Sequence, residues 1–285
     1  MTATVLHYEE FGRHDRGVFV FLHGFMGNCR SLHAIATSLA GTHRCIAFDL
    51  PGHGCSLFRR TDSLNALETM EDVAKLILRD LDALGVSRFS LYGYSMGGRV
   101  AQNVALLAPD RIERLVLESA SFGIADPEER RQRYLRDQAL LAVVRTEKDL
   151  AAFLEGWYRL PLFRTLQGTP HLQRIIREKQ GNTVEELRRA MKILSVGNHH
   201  FFAERLVGQN FPVFYFCGEK DEAYTGTAKT IKKEIPTMNV TVFSGASHDI
   251  HSQFPEKIIR TLERMSAADN AAALSVLQGG AKRES

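Results

Sequence analysis

The sequence has few of the features that mark membrane, secreted or metal-binding proteins. Its 285 residues include four cysteines, none of them in a C-x-x-C pair, so neither a zinc site nor a disulfide framework is expected. No stretch approaches the roughly 18 uninterrupted apolar residues of a membrane-spanning helix. The N-terminal residues lack the basic and then apolar segments of a secretory signal. These absences predict a protein of the reducing cytoplasm without a membrane span.

Excess charge of one sign is scarce as well. The 36 Lys and Arg residues against 33 Asp and Glu give a formal net charge of +3, and five basic residues never follow one another. We therefore expect no nucleic-acid partner. Hydrophobic residues make up 44% and charged residues 24% of the chain, which is close to the globular average and excludes a chain that is disordered throughout.

Short apolar segments alternate with helical patterns in the first part of the chain and again near its end. The predicted strands are residues 4–8, 17–22, 45–50, 89–93, 115–117, 213–217 and 240–243. The predicted helices between them are residues 30–40, 70–84, 96–107, 225–234 and 254–265. This alternation predicts an α/β fold with a mostly parallel, doubly wound sheet.

Residues 122–208 interrupt this alternation, because they contain helical patterns and no convincing strand. We expect them to form a helical lid inserted into one α/β core made of residues 1–121 and 209–266. Such a lid would cover the C-terminal edge of the sheet, where open α/β sheets bind ligands. The insert carries a formal charge of +4 and the remainder −1, which favours an anionic ligand. The Ala-rich residues 267–285 are predicted to be a flexible tail.

The segment Gly93-Tyr94-Ser95-Met96-Gly97 follows a predicted strand and precedes a predicted helix. This is the context of a G-x-S-x-G nucleophile elbow, in which the serine occupies a strained turn. Small residues two positions before and after the serine prevent clashes there. The alternative is a chance match in an ordinary turn, but the context favours Ser95 as a catalytic residue.

Two further residues complete the order expected for a nucleophile elbow, in which the serine is followed along the chain by an acid and then by a histidine. Asp221 and His248 each follow a predicted strand. Asp221 would orient the imidazole, and His248 would accept the Ser95 proton. Asp221 is also a plausible turn or helix-cap residue. Other local candidates remain, namely Glu219 and Glu222 for the acid and His251 for the base.

The segment Leu22–Phe25 follows the first buried strand. In an elbow fold the backbone N–H groups of Phe25 and Met96 would form an oxyanion hole. Packing of the Phe25 ring in the core is compatible with this role, because the donor is the backbone. The Pro- and Gly-containing segment Asp49–Ser56 is expected to shape the wall of the site, with His53 as a loop residue rather than a catalyst.

These motifs resemble two known families. The segments Leu22–Phe25, Asp49–Ser56 and Gly93–Gly98 resemble the α/β-hydrolase superfamily, over the chain to about residue 265. They indicate a fold and leave the reaction open. A narrower resemblance, to the 2-succinyl-6-hydroxy-2,4-cyclohexadiene-1-carboxylate (SHCHC) synthases of menaquinone and phylloquinone biosynthesis, lies in His23–Gly27, Gly93–Arg99, Glu118–Ser121 and Trp157-Tyr158-x-x-Pro161-Leu162-Phe163.

The narrower resemblance implies a lyase that eliminates pyruvate from 2-succinyl-5-enolpyruvyl-6-hydroxy-3-cyclohexene-1-carboxylate, a small polycarboxylate. It implies no metal and no organic cofactor, and a triad of Ser95, Asp221 and His248 that acts as a base. Arginine forks suit a substrate with several carboxylates. The substrate-binding residues that the resemblance implies are Tyr94, Arg99, Arg133, Trp157 and Arg177.

Several alternatives stay open at this stage. Arg99 and Arg133 are also compatible with solvated helix faces, and Trp157 with core packing. The stretch Ser195–His200 departs from the Gly-Thr-Gly-x-Gln type of sequence found in the narrower family, and Ser247 stands where a glycine usually precedes the histidine. The same triad would serve a carboxylesterase or a carbon–carbon bond hydrolase, and the fold also occurs in non-catalytic proteins. The sequence does not indicate the oligomeric state.

Overall fold

The computed structural model describes residues 3–12 and 17–265, and the statements below concern this part of the chain. In it, one sheet is formed by β1 Tyr8–Phe11, β2 Val18–Leu22, β3 Arg44–Phe48, β4 Phe89–Tyr94, β5 Ile112–Glu118, β6 Val213–Gly218 and β7 Asn239–Phe243. The order across the sheet is β1-β3-β2-β4-β5-β6-β7. β1 is antiparallel to β3, and the other neighbouring strands are parallel. The predicted mostly parallel α/β sheet is confirmed.

Helices connect the strands, as parallel pairing requires. They are α1 His33–Leu39, α2 Asp62–Asn65, α3 Met70–Ala83, α4 Met96–Leu107, α5 Pro127–Leu140, α6 Glu147–Tyr158, α7 Pro170–Lys179, α8 Val184–Leu194, α9 Ala203–Leu206, α10 Glu222–Glu234 and α11 Ile250–Gln253. Residues 255–265 are also helical. The predicted tail, residues 267–285, lies outside the described residues. None of the helices described is both long and apolar enough to cross a lipid bilayer.

The first strand begins later than predicted. The sequence favours a strand over residues 4–8, whereas β1 starts at Tyr8. The backbone N–H groups of Val5 and Leu6 donate to the buried Asp80 carboxylate at 2.7–3.1 Å, and that of His7 donates to Ser56 Oγ at 2.9 Å. Side chains therefore take the donors that a strand would use, and the prediction is wrong for residues 4–7.

Helices α5 to α9 lie between β5 and β6, within the range where the sequence predicts an insert; residues 122–208 are called the helical insertion below. The insertion supplies most of a separate apolar cluster that includes the buried Leu150, Leu154 and Leu187. Met26, from the loop after β2, is part of this cluster, and Phe25 packs against it. The insertion therefore rests on the loop that follows β2.

The loops after β2, β4, β6 and β7 bring four predicted site residues to one edge of the sheet. They carry Phe25, Ser95, Asp221 and His248 in that order. Because these strands are parallel, the four loops leave the sheet at its C-terminal edge. The insertion reaches the same edge, since the backbone N–H of His248 donates to the Leu162 carbonyl at 3.1 Å.

Candidate active site

Ser95 occupies the strained turn that the elbow motif predicts. It lies between β4 and α4 with φ of +50° and ψ of −107°, a conformation that non-glycine residues rarely adopt. A Cβ at Gly93 would lie 2.6 Å from the Gly97 carbonyl oxygen, and a Cβ at Gly97 would overlap the Leu22 carbonyl. Gly93 is therefore required for the start of α4 to fold back over the end of β4, and Gly97 for α4 to pack against the end of β2.

The structure brings Ser95, His248 and Asp221 into hydrogen-bonding distance. Nε2 of His248 lies 3.1 Å from Oγ of Ser95, and Nδ1 lies 2.7 Å from Oδ2 of Asp221. Asp221 is 1% exposed and His248 3%. Asp221 also caps α10, because its Oδ1 accepts the backbone N–H of Tyr224 at 3.4 Å. The cap and the contact with His248 use different oxygens, so the two interpretations of Asp221 are compatible.

The rival candidates for acid and base are engaged elsewhere. Glu219 accepts the backbone N–H of Gly245, and Glu222 pairs with Arg164 at the surface. His251 is buried against Glu118. Within the described residues, this leaves Asp221 and His248 as the acid and the histidine placed at Ser95.

Phe25 and Met96, the predicted oxyanion-hole residues, both line the cavity beside Ser95. Met96 is the first residue of α4, so its N–H has no partner inside the helix and lies at the positive end of the helix dipole. The Phe25 ring packs edge-on against Trp157 and His53 at centroid distances of 6.0 and 5.9 Å. Ring packing and a backbone donor role are compatible at Phe25.

A cavity of about 260 Å³ opens on the three hydrogen-bonded residues. Its polar lining combines them with Arg99, Arg133, Asp137 and Tyr224. Its apolar lining is Phe25, Met96, Leu140, Trp157, Leu162, Met191, Val196 and Ala223. The sheet edge thus contributes the hydrogen-bonded groups, and the insertion contributes most of the opposite wall.

Arg99 is a buried cation without a carboxylate partner among the described residues. It is 6% exposed, its Nη2 donates to the Leu194 carbonyl at 2.7 Å, and its Nε has no partner. Burial lowers the pKa of Arg99 to about 10, so the group stays charged at neutral pH. A solvated position for Arg99 is excluded, and a ligand anion would supply the missing partner.

Arg133 is less deeply buried and already paired. Its Nε donates to Asp137 Oδ1 at 2.8 Å, and its side chain is 40% exposed. The other Asp137 oxygen accepts the Ser195 hydroxyl at 2.7 Å. Asp137 was not singled out from the sequence, although its i, i+4 spacing from Arg133 is a usable signal. Tyr224 was missed too, because only the capping turn of α10 brings it to the cavity.

The remaining predicted ligand residues differ in placement. Trp157 lines the cavity and contacts Phe25, Phe153 and Phe163. The buried Tyr94 ring packs over Gly24, and a Cβ added at Gly24 would lie 2.5 Å from the ring. Tyr94 faces a different cleft, of about 670 Å³, that also involves Lys179, Asp249 and His251. Arg177 is exposed on α7 and does not line the cavity.

The Asp49–Ser56 segment is organised by the Asp49 carboxylate. Its oxygens accept the backbone N–H groups of Cys29 at 2.6 Å and Cys55 at 2.7 Å, and its Oδ2 lies 2.9 Å from His7 Nδ1. Potential ligand atoms of His7, Asp49 and Cys55 lie within 4.8 Å of one another, a grouping that the sequence spacing does not reveal. None of these residues lines the cavity. The carboxylate primarily holds the turn.

Two histidines near the site are held neutral by burial. Burial lowers the pKa of His23 to about 4, and its Nε2 accepts the backbone N–H of Leu50 at 2.9 Å. Burial lowers the pKa of His53 well below its ordinary value, and His53 Nδ1 lies 3.0 Å from the Pro51 carbonyl. Both histidines stabilise loops, which agrees with the expected role of His53.

Comparisons with known proteins extend these observations. The model of the family described as alpha/beta hydrolase fold matches residues 17–255. A 2-succinyl-6-hydroxy-2,4-cyclohexadiene-1-carboxylate synthase of Escherichia coli O1:K1 / APEC is 28% identical over 262 residues, which are 92% of this chain and 98% of that protein. The Protein PHYLLO, chloroplastic, of Arabidopsis thaliana is 28% identical over 272 residues, which are 91% of this chain but only 16% of that protein.

Solved structures show the same fold. MenH from S. aureus superposes with a TM-score of 0.83 at 26% identity, over 93% of this chain and 99% of that chain. A thermophilic esterase from Thermogutta terrifontis superposes with a TM-score of 0.75 at 21% identity, over 91% and 92% of the two chains. The second similarity concerns the fold alone.

Proposed function

We propose that this chain, which belongs to the alpha/beta hydrolase fold family, is a carbon–oxygen lyase of the SHCHC-synthase type. Its substrate would be 2-succinyl-5-enolpyruvyl-6-hydroxy-3-cyclohexene-1-carboxylate, and its products would be pyruvate and 2-succinyl-6-hydroxy-2,4-cyclohexadiene-1-carboxylate. The chain's similarity to SHCHC synthases over nearly their full length supports a place in menaquinone or phylloquinone biosynthesis.

One observation carries this choice of substrate class: the buried, carboxylate-free Arg99 beside Ser95. A neutral ester would leave this guanidinium charge uncompensated in the cavity, at a cost in binding free energy. A substrate carboxylate would pair with it and accept hydrogen bonds from the guanidinium fork. Arg133 would offer a second, partly neutralised contact, since Asp137 shares its charge.

In the proposed reaction, His248 takes the hydroxyl proton of Ser95, and Asp221 stabilises the resulting imidazolium. Ser95 then removes the ring proton α to the succinyl ketone and acts as a base rather than a nucleophile. The N–H groups of Phe25 and Met96 stabilise the enolate oxygen. The electrons shift through the ring double bond, the carbon–oxygen bond breaks, and the enolate of pyruvate leaves. It takes up the proton held by His248, which restores the neutral histidine.

The arginines would contribute by fixing the substrate carboxylates, so that the reacting C–H bond lies within reach of Ser95. No metal or organic cofactor is needed for this sequence of steps, because each proton stays with Ser95, His248 or the substrate. The apolar wall around Trp157 would exclude water and so strengthen these electrostatic contacts.

Pyruvate release tests the proposal directly. The purified protein is incubated with the enolpyruvyl substrate, and pyruvate is followed by a coupled lactate dehydrogenase assay, with Ser95→Ala as the control. We expect release that depends on Ser95. A parallel panel of p-nitrophenyl esters tests the hydrolase alternative, because a hydrolase would use the same Ser95, His248 and Asp221. Ester cleavage without pyruvate release would reject the lyase and favour a hydrolase.

A further inference from the structure

A second buried acid–histidine pair lies behind Ser95, and the proposed reaction does not use it. Glu118, at the end of β5, is 0% exposed, and buried carboxylates persist only where they are well partnered. Its Oε2 accepts the Tyr92 hydroxyl at 2.6 Å. Its Oε1 accepts the backbone N–H of His251 at 2.9 Å, and both oxygens lie 3.0–3.1 Å from His251 Nδ1.

The His251 ring lies between two carboxylates. Its other nitrogen, Nε2, is 3.0 Å from Asp249 Oδ1, and its edge contacts the Tyr94 ring at a centroid distance of 4.4 Å. Burial disfavours the charged imidazole, and nearby Lys179 adds to this effect, but Glu118 and Asp249 outweigh both and raise the pKa of His251 above its ordinary value. The ring is therefore suited to carry a positive charge between the two acids.

Glu118 is connected to both halves of the candidate catalytic pair. Its backbone carbonyl accepts the N–H of Ser95 at 2.8 Å. Its side chain holds His251, three residues beyond His248 at the start of α11. The strand residue thus fixes the elbow through its main chain and the histidine loop through its carboxylate. Neither Glu118 nor His251 lines the cavity at Ser95.

We propose that the Glu118–His251 ion pair is a positioning device, which sets the distance between Ser95 Oγ and His248 Nε2. The pair acts through the two loops and does not touch the substrate. The pair is complete only while His251 is protonated, because a neutral ring still donates its Nδ1–H to Glu118 but loses the attraction between Nε2 and the Asp249 carboxylate. Activity should then fall at alkaline pH, where His251 loses its proton, so that His251 is responsible for the alkaline limb of the pH profile.

The decisive variant is Glu118→Gln, which keeps the shape and an acceptor but removes the charge. We expect kcat to fall about 10- to 100-fold with KM little changed, because a misplacement of about 1 Å between reacting groups has an effect of this size. The alkaline limb should also move to lower pH, since loss of the Glu118 charge lowers the pKa of His251. His251→Gln should lower kcat similarly and abolish that limb.

Asp80→Asn is the matched control. Asp80 is also a buried, 0% exposed carboxylate that accepts backbone N–H groups, but its partners Val5 and Leu6 lie away from the catalytic loops. We expect this control to lower the unfolding temperature and to leave kcat and the pH profile unchanged. If Asp80→Asn alters them as much as Glu118→Gln, the role of Glu118 is merely structural and the proposal fails.

The kinetic readout rests on the proposed function, so a second readout is independent of it. The rate at which phenylmethylsulfonyl fluoride labels Ser95, followed by intact mass against pH, reports on the serine–histidine pair without any natural substrate. Slower labelling in both Glu118→Gln and His251→Gln supports the proposal even if no pyruvate is formed. Wild-type labelling rates and pH profiles in the two folded variants would overturn it.

Discussion

At the residue scale, the balance of charge inside the cavity has the clearest consequences. Arg99 brings a guanidinium into a buried position where its Nη2 meets only a backbone carbonyl and its Nε meets nothing. Arg133, in contrast, shares its charge with Asp137. Among the described residues Arg99 therefore has no directly bonded counter-ion, which is costly for a buried charge and favours an anionic ligand.

Arg99→Met is expected to lower kcat/KM for the polycarboxylate substrate by about 100-fold, because a buried contact between opposite charges is lost. The same change should leave the unfolding temperature equal or raise it, since a buried unpaired charge is removed. Steady-state kinetics and thermal unfolding measure the two effects. Arg131→Met is the control, because Arg131 is exposed and pairs with Glu128. Equal kinetics in both variants would contradict the assignment of Arg99.

Asp221→Asn is expected to lower kcat by about 10³- to 10⁴-fold with little change in KM, because an amide neither fixes the correct imidazole tautomer nor stabilises the imidazolium. Pyruvate release gives both constants. Glu219→Gln is the control, since Glu219 lies two residues away and contacts Ser244 and Gly245 instead. A fully active Asp221→Asn variant would remove Asp221 from the catalytic group.

The residues could be predicted from the sequence to the extent that local pattern decides their position. Ser95 follows from the glycines around it, and Asp221 and His248 follow from their place after strands. Arg99 was identifiable as a candidate, but its guanidinium donates to the carbonyl of Leu194, which lies 95 residues further along the chain. Tyr94 and Arg177 show the limit: the Tyr94 ring packs over Gly24 and lines a different cleft, and Arg177 is exposed on α7.

At the element scale, the helical insertion and the loop after β2 form one unit. Lys179, at the end of α7, donates to the Phe25 carbonyl at 3.1 Å. Asn182 donates to the Met26 carbonyl at 2.8 Å and to the Lys179 carbonyl at 2.9 Å. Met26 has a positive φ of 61°, so this loop holds a conformation that needs external support. The insertion supplies that support to the proposed oxyanion donor Phe25.

Asn182→Ala is expected to lower kcat about tenfold, because the N–H of Phe25 loses its fixed position. Amide exchange of residues 24–27, measured by mass spectrometry, should become faster. The control is Asn198→Ala, which removes a side-chain bond to Lys192 that stays within the insertion. Unchanged exchange in residues 24–27, or an equal loss of kcat in the control, would show that Asn182 does not stabilise the loop.

The elements themselves were largely predictable, since buried apolar strands and capped helices are local signals. The first strand was not, because its start is set by Asp80, a residue on α3 that takes the backbone donors of Val5 and Leu6. The grouping of His7 and Cys55 around Asp49 was equally hidden. In both cases the decisive contact joins residues that are distant in sequence, and such a contact cannot be predicted from local hydrophobic periodicity.

Across the whole molecule, the excess of positive charge belongs to the helical insertion. The helical insertion carries +4 and the rest of the chain −1, and the insertion provides Arg133 to the cavity wall. Fields of this kind raise the rate at which anions reach a site, and dissolved salt screens them over about 10 Å at 0.1 M ionic strength.

The value of kcat/KM for the anionic substrate is expected to fall about tenfold between about 0.05 and 0.5 M sodium chloride, with kcat nearly constant, because salt screens the approach and not the chemistry. Initial rates at several substrate concentrations separate the two constants. Sodium bromide at the same ionic strength controls for specific chloride binding, because it screens equally and carries no carboxylate that could compete for Arg99. A kcat/KM that does not depend on salt would show that the charge of the insertion does not guide the substrate.

The position of Trp157 provides an intrinsic fluorescent probe of the cavity. It is the one tryptophan in the sequence, and its indole forms part of the cavity wall beside Phe25. Light absorbed at the red edge of the protein spectrum, near 295 nm, therefore excites a single site. The emission maximum and the quenching by iodide then report whether the indole is exposed to solvent or covered. Ligand binding can be followed in this way in any variant that keeps Trp157, including variants without catalytic activity.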